Sequence, residues 1–348
     1  MRVLINARNG SLGVEAGVIV GTSGSFDVVI DARDADVRPG LINPHDHLHR
    51  NHYGRLGKPP YRSSREWAGD IQQRYKRRIA QGRQRSRREA LLAGAWKNLF
   101  AGVTTVVHHD AWEHDFERDF PIRIASVATA DDVQSAGAID TSRPYAIHCA
   151  EGVDEGASRD VAELESRGLL TARLLAVHAV GVDDQAVGKL RGIGAAVVWC
   201  PTSNMFMLDA TAPDALLQSG VDVLLGSDSL LTGAGNLLDE LRFARACGPL
   251  GDEALERAVG VGAAARLGLA APTLEAGAPA DLILITESIG EARSEDVQLV
   301  MVGGVPRVAA PDLAAPLAGV VTSGRMQTCR GVTRWTNVEA EGGIDETH

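Results

Sequence analysis

His45 and His47 stand two residues apart at the end of the apolar run Pro39-Gly40-Leu41-Ile42-Asn43-Pro44. On an extended strand that spacing puts both imidazoles on one face. Two neutral imidazoles aimed at one point suit a transition metal such as zinc or iron. An isolated His-x-His is as readily a pair of loop histidines, and what gives this one chemical meaning is the order of residues downstream. His148 closes the run Tyr145-Ala146-Ile147, His178 closes Leu174-Leu175-Ala176-Val177, and Asp228 follows Leu224-Leu225-Gly226-Ser227. Three imidazoles and a carboxylate can hold one divalent ion and leave a position for water. Such an ion lowers the water's pKa from about 15.7 towards about 7. Asp228 can touch the ion and accept the water's proton. Glu151, three residues past His148, can hand a proton to a substrate or leaving group.

These groups meet only if the elements carrying them converge. Residues 39–270 alternate apolar strand-like runs with helical stretches, which implies a parallel β/α architecture. The strand runs are 40–43, 104–108, 122–128, 145–148, 174–178, 195–200 and 221–226, and several end in His or lead straight into Ser, Asp or Asn. In a (β/α)8 barrel, functional groups sit at the C-terminal ends of the strands. Seven runs are countable, and the space between 122 and 148 is too short for a full strand–helix–strand unit, so one repeat is expected to be shortened. Runs 2–7, 17–21 and 26–32 near the N-terminus, and 281–285, 297–302 and 305–308 near the other end, are too few to form a domain at either terminus alone. They predict one small β-sandwich built from 1–38 and 271–330, with a barrel domain, 39–270, inserted between its halves and a tail from 331 to 348.

The composition fits a globular chain: 348 residues, 45% hydrophobic, with 38 glycines and a mean hydropathy of -0.05. No apolar run approaches the roughly 20 residues that span a bilayer, and Met1–Arg8 carries too short an apolar core for a secretory leader. Cys149, Cys200, Cys247 and Cys329 are scattered without C-x-x-C spacing, which predicts reduced thiols and a cytoplasmic protein. A formal charge of -10 argues against general nucleic-acid binding. Within this acidic chain, residues 74–88 form a basic run, read as a solvated helix face or subunit contact, with anion binding as its rival. Gly260-x-Gly262-x-x-Ala265 imitates a dinucleotide fingerprint, but no strand precedes it and the stretch is Ala-rich and helical. Phosphate-loop and Gly-x-Ser-x-Gly patterns are absent from the sequence.

Taken in order, seven pieces resemble the amidohydrolase superfamily. They are Pro39-Gly40-Leu41-Ile42-Asn43-Pro44-His45-Asp46-His47, Gly102-Val103-Thr104-Thr105, His148-Cys149-Ala150-Glu151, His178, Cys200-Pro201-Thr202-Ser203-Asn204, Gly226-Ser227-Asp228-Ser229 and Gly277-Ala278-Pro279-Ala280-Asp281-Leu282. The likeness spreads over nearly the whole chain and is greatest to the cytosine deaminase and chlorotriazine hydrolase branch. It implies an α/β protein, a distorted (β/α)8 TIM barrel with a small β-sandwich from both termini, and homo-oligomers. It implies one divalent ion, zinc in preference to iron, held by His45, His47, His148 and Asp228. His178 would hydrogen-bond the hydroxide or the substrate, Glu151 would shuttle a proton to a ring nitrogen, and Asp228 would be the general base. Binuclear relatives carry a carboxylated Lys at the fourth strand's end, and the absence of a strand-end Lys here favours one metal.

The chain departs from the branch in being shorter in the sandwich and between the third and fifth strands, and in its His108-His109 pair. Those two are read as packing residues, with substrate contact as the rival. His49, His109, Asn204 and Ser229 are the candidates for substrate contact. The expected activity is hydrolytic deamination of a small aminated N-heterocycle through a metal-activated hydroxide. Ring opening of a cyclic amide or imidazolone is the alternative, and a catalytically silent binding protein on the same fold is a third.

Overall fold

A computed structural model describes residues 2–137, 139–318, 321 and 324–337. Eight parallel strands carry the middle of the chain: β1 (Leu41–Asp46), β2 (Val103–His108), β3 (Arg123–Ile124), β4 (Ala128–Ala130), β5 (Tyr145–Cys149), β6 (Leu174–His178), β7 (Ala196–Trp199) and β8 (Asp222–Leu225). They pair as a three-stranded sheet, β1-β2-β3, and a five-stranded sheet, β4-β5-β6-β7-β8. All of these pairings are parallel. Sequence reading counts seven strands because it takes 122–128 as one. The run is in fact divided into β3 and β4 with three residues and no helix between them. A helical period has no room there, so the shortened repeat is a direct strand-to-strand passage.

Successive side chains on these strands point to opposite faces, and the apolar ones sort accordingly. One cluster gathers Ile42 and Val107 from the first sheet with Ala146, Leu175, Val177, Ala196, Val198 and Leu224 from the second. Their neighbours in sequence, among them Leu41, Val106, Tyr145, Ile147, Ala176 and Val197, belong to a second cluster with the surrounding helices. Burial on both faces is why these strands read as continuous apolar runs. At the far edge β8 meets β1, where the Asp228 N–H donates to the His45 carbonyl at 3.1 Å. A Cβ at Gly226 would lie 2.8 Å from Cβ of His45, so only glycine permits this approach.

Two of the helices that follow strands begin at aspartate caps. Asp154 caps α4 (Glu155–Ser166) after β5, and Asp183 caps α5 (Asp184–Ile193) after β6. After β1 the chain builds an arm, α1 (Ser64–Arg74) and α2 (Lys76–Gly82), before α3 (Arg87–Leu99). Ser86 and Glu89 form a reciprocal capping box that starts α3.

Strands Arg2–Ala7, Gly10–Glu15, Val18–Val20 and Val28–Ala32 form a four-stranded sheet. Asp36–Pro39, Leu282–Ile285, Val297–Val302, Val305–Ala309, Val332–Thr336 and Arg325–Cys329 form a six-stranded one. Asp36–Pro39 pairs directly with Leu282–Ile285, and the two sheets share an apolar cluster that includes Ile5, Ile30, Leu282, Leu299 and Met301. Sequence reading missed Gly10–Glu15, Asp36–Pro39 and the hairpin 325–336, whose last strand lies beyond the expected boundary at 330. The expected tail lies outside the described residues from 338 on. Gly260 precedes the helix Val261–Leu267, as expected of a plain helix. No helix among the described residues is long and apolar enough to cross a membrane.

Candidate functional site

The strand ends converge on His45. It is fully buried, and neither of its ring nitrogens has a hydrogen-bond partner. Two sets of ligand-type atoms, each within 4.8 Å of one another, share it: His45 with His47 and Asp228, and His45 with His148 and His178. The structure thus brings together all four sequence-derived metal ligands and His178.

Hydrogen bonds decide which atoms remain free. Asp110 Oδ2 lies 2.7 Å from Nδ1 of His47, so Nδ1–H donates and Nε2 keeps its lone pair. His148 Nδ1 lies 2.7 Å from the Asp131 carbonyl, again leaving Nε2, which is shielded from solvent and has no partner. His178 differs. Asn204 Nδ2 donates to its Nδ1 at 2.9 Å, which leaves the ring proton on Nε2, 3.2 Å from Glu151 Oε1. In that tautomer His178 donates toward Glu151. Oδ2 of Asp228 accepts from Ser203 Oγ at 2.6 Å and Thr232 Oγ1 at 2.9 Å. Oδ1 accepts the Ser229 N–H at 2.6 Å and lies 3.7 Å from His45 Nε2.

The donor set fits a divalent ion: unpartnered, buried imidazole nitrogens beside a carboxylate, two of the rings anchored from behind by oxygen acceptors. Burial first, then the neighbouring histidines, hold His45 well below the usual histidine range, and burial does the same for His47. Burial takes His148 down to about 3 and His178 to about 4. The rings are therefore neutral at pH 7, as metal ligation requires.

The two carboxyl groups are pushed apart. Burial, then the Asp228 charge, raises Glu151 to about 8. Burial also pushes Asp228 up, but His178 and the bonds from Ser203 and Ser229 outweigh it and hold Asp228 below the usual range. Backbone strain is concentrated here as well, since Ala150, His178 and Asp228 have φ of 52°, 77° and 50°. Left-handed conformations at such residues cost about 1 kcal/mol or more each.

The four candidates for substrate contact occupy different places. His109 is fully buried, stacks on His148 at 4.1 Å, and faces the Ala130 carbonyl through Nε2 at 2.9 Å. Asn204 is fully buried behind His178. The Ser229 backbone N–H donates to Asp228 Oδ1. His49 lies in a separate group with His108 and Asp110.

Sequence reading missed Asp110, whose partner His47 is 63 residues away. It also missed a buried ionic network behind the ligands. Asp46 Oδ2 lies 2.9 Å from Lys97 Nζ, and Asp46 also accepts from Asn98 and Asn51. Lys97 in turn contacts Ser227 Oγ at 3.1 Å and the Asp228 carbonyl. One signal was present: Lys97-Asn98 interrupts the otherwise apolar stretch of α3 from Ala90 to Leu99.

The amidohydrolase family model matches residues 123–307, and the chain belongs to that family. It is 36% identical over 144 residues to a 5-methylthioadenosine/S-adenosylhomocysteine deaminase of Haloarcula marismortui, covering 38% of this chain and 33% of that protein. It is 31% identical over 186 residues to a 5'-deoxyadenosine deaminase of Methanoregula boonei, covering 50% of this chain and 38% of that protein. The chain therefore spans only a third to two-fifths of the length of these curated relatives. Among solved structures, an adenosine deaminase from Xanthomonas campestris with bound zinc superposes with a TM-score of 0.69 at 20% identity, covering 91% of this chain and 96% of that one. An Arthrobacter aurescens atrazine chlorohydrolase complexed with zinc gives 0.68 at 20% identity, covering 91% and 98%.

Proposed function

We propose that the protein is a metal-dependent aminohydrolase that deaminates an aminated N-heterocycle, with adenine nucleosides as the first compounds to test. The observation that carries this reading is the separation of two carboxyl groups at one centre, Glu151 raised to about 8 and Asp228 held low. Such a pair supplies an acid and a base at the same pH. The names of the curated relatives, deaminases of adenosine derivatives, support the choice of compounds.

We read β1–β8 as one distorted (β/α)8 barrel, residues 39–270, because its two sheets contribute to one interior cluster and meet where Asp228 bonds His45. The terminal sheets are read as a composite β-sandwich on the strength of their common apolar cluster.

His45, His47 and His148, through ring nitrogens, and Asp228, through Oδ1, would hold one divalent ion, with zinc favoured over iron. When bound, such an ion supplies Lewis acidity that lowers the pKa of water to about 7. The protein's own groups do the rest. Glu151, protonated at neutral pH and held by His178 Nε2–H, delivers its proton to the ring nitrogen beside the amine-bearing carbon as water adds to that carbon. Asp228 takes the water's proton and passes it to the amine, which leaves as ammonia. The hydroxyl proton of the tetrahedral adduct returns to Glu151 as the carbonyl forms.

Elemental analysis of protein purified without added metal, followed by an ammonia assay with adenosine, 5'-deoxyadenosine and 5-methylthioadenosine, tests the reading. About one zinc or iron per chain and stoichiometric ammonia are expected. A ring-opened product without ammonia would replace deamination by cyclic-amide hydrolysis. No metal after incubation with zinc or iron would leave a silent binding protein.

A further inference from the structure

We propose that the cavity beside the α1–α2 arm binds a small organic anion, a carboxylate or phosphate carried on an apolar body, at a site separate from the histidine centre. The cavity has a volume of about 480 Å³, and none of His45, His47, His148, Glu151, His178 or Asp228 lines it. Its occupant therefore does not sit on the reacting groups.

The lining is charged in one sense only. Arg50, Arg83, Arg85 and Arg87 contribute to it, and no aspartate or glutamate does, in a chain whose 45 acidic residues outnumber its 35 Lys and Arg. Two of the four are already neutralised by acids outside the cavity: Arg50 pairs with Asp110 at 2.9 Å, and Arg87 pairs with Glu113. Arg85 acts on Glu89, whose carboxyl is held low by Ser86 and, in smaller part, by Arg85. Arg83 has no acidic partner at ion-pair distance among the described residues, so the positive charge facing the cavity is only partly compensated. A solvated basic face would scatter its arginines away from one another into water. Here they share a concave wall with apolar side chains such as Leu56 and Ile79, both buried. His49 also lines the cavity, with its Nδ1 turned to Asp110 Oδ2 at 3.5 Å.

Guanidinium groups recognise planar or tetrahedral oxyanions through paired N–H donors, and the apolar floor provides contact area for a flat body. This accounts for part of the basic run 74–88. Arg83 and Arg85 face the cavity, whereas Arg77 does not line it.

Isothermal titration of the 348-residue chain tests the proposal with phenyl phosphate and benzoate as probes, and with inorganic phosphate and benzyl alcohol as the probes lacking body or charge. Saturable binding of phenyl phosphate or benzoate at one site per chain is expected. Binding should weaken at least about tenfold in the Arg83→Gln/Arg85→Gln protein, from the loss of charge-assisted bonds, and stay unchanged in Arg77→Gln. All three substituted residues lie outside the apolar core, and circular dichroism checks the fold. No saturable binding, equal binding by the double variant, or equal binding of inorganic phosphate or benzyl alcohol each overturns it. The readout involves no turnover, so it stands or falls independently of ammonia release.

Discussion

Glu151 Oε1 lies 3.2 Å from His178 Nε2, and the tautomer set by Asn204 places a proton between them. A carboxyl raised to about 8 beside an imidazole lowered to about 4 is an inversion of their ordinary order. At neutral pH both are uncharged, Glu151 as an acid with a proton to give.

Glu151→Gln keeps the shape and the hydrogen bond but removes the transferable proton. Deamination should fall by about 10²–10⁴-fold, with metal content unchanged by elemental analysis. A variant of wild-type rate would remove Glu151 from the reaction.

The pH dependence follows from the same group. Because the acid form is the working form, kcat/KM should decline as pH rises through about 8. A rate profile measured between pH 6 and 10 checks the sign, and Glu151→Gln should lack that limb.

Asp110→Asn weakens the acceptor that fixes His47 from 2.7 Å. Metal affinity should drop about 10- to 100-fold, read by competition with a chelator. The same treatment of wild-type protein should abolish ammonia release, and added zinc should restore it.

Much of the site was legible in the sequence, and for a common reason. His45, His47, His148, His178 and Asp228 each close an apolar run, and a parallel strand buried on both faces writes itself as such a run. The short strands β3 and β4 carry too few residues to show a period. Asp110 and Lys97 were harder to find because their significance lies in partners 63 and 51 positions away, Asp110 with His47 and Lys97 with Asp46. Spacing along a strand carries no record of such pairs. The His49 and Asn204 assignments show the converse: their positions were visible, but what they face was not.

Lys97→Met leaves Asp46 buried without its counter-charge, since both side chains are essentially inaccessible. A destabilisation of about 3–5 kcal/mol is expected. The double change with Asp46→Asn should recover part of it in urea unfolding.

Glu240 offers a test away from the histidines. It is fully buried against Thr202, and burial raises it from 4.5 to about 8. Below pH 4.5 both folded and unfolded chains hold the proton. Between there and about 8 only the folded chain does, so this group's contribution to stability is lost as pH rises across that window. Glu240→Gln should flatten the decline relative to wild type.

The segment from Arg55 to Ser64 has one more consequence. Leu56 N–H bonds the Leu231 carbonyl, Tyr61 N–H that of Met207, Ser64 N–H that of Glu151, and Val153 N–H returns to Arg62. Arg55 adds bonds to the carbonyls of Thr232 and Gly233. One stretch of chain thus stitches together the segments that follow β5, β7 and β8; of the site histidines, His45, His47 and His178 are 0–2% exposed and His148 is partly exposed. Because these stitches are bonds to backbone carbonyls made outside the histidine set, altering them would change how the surrounding segments move without changing which side chains meet at the site.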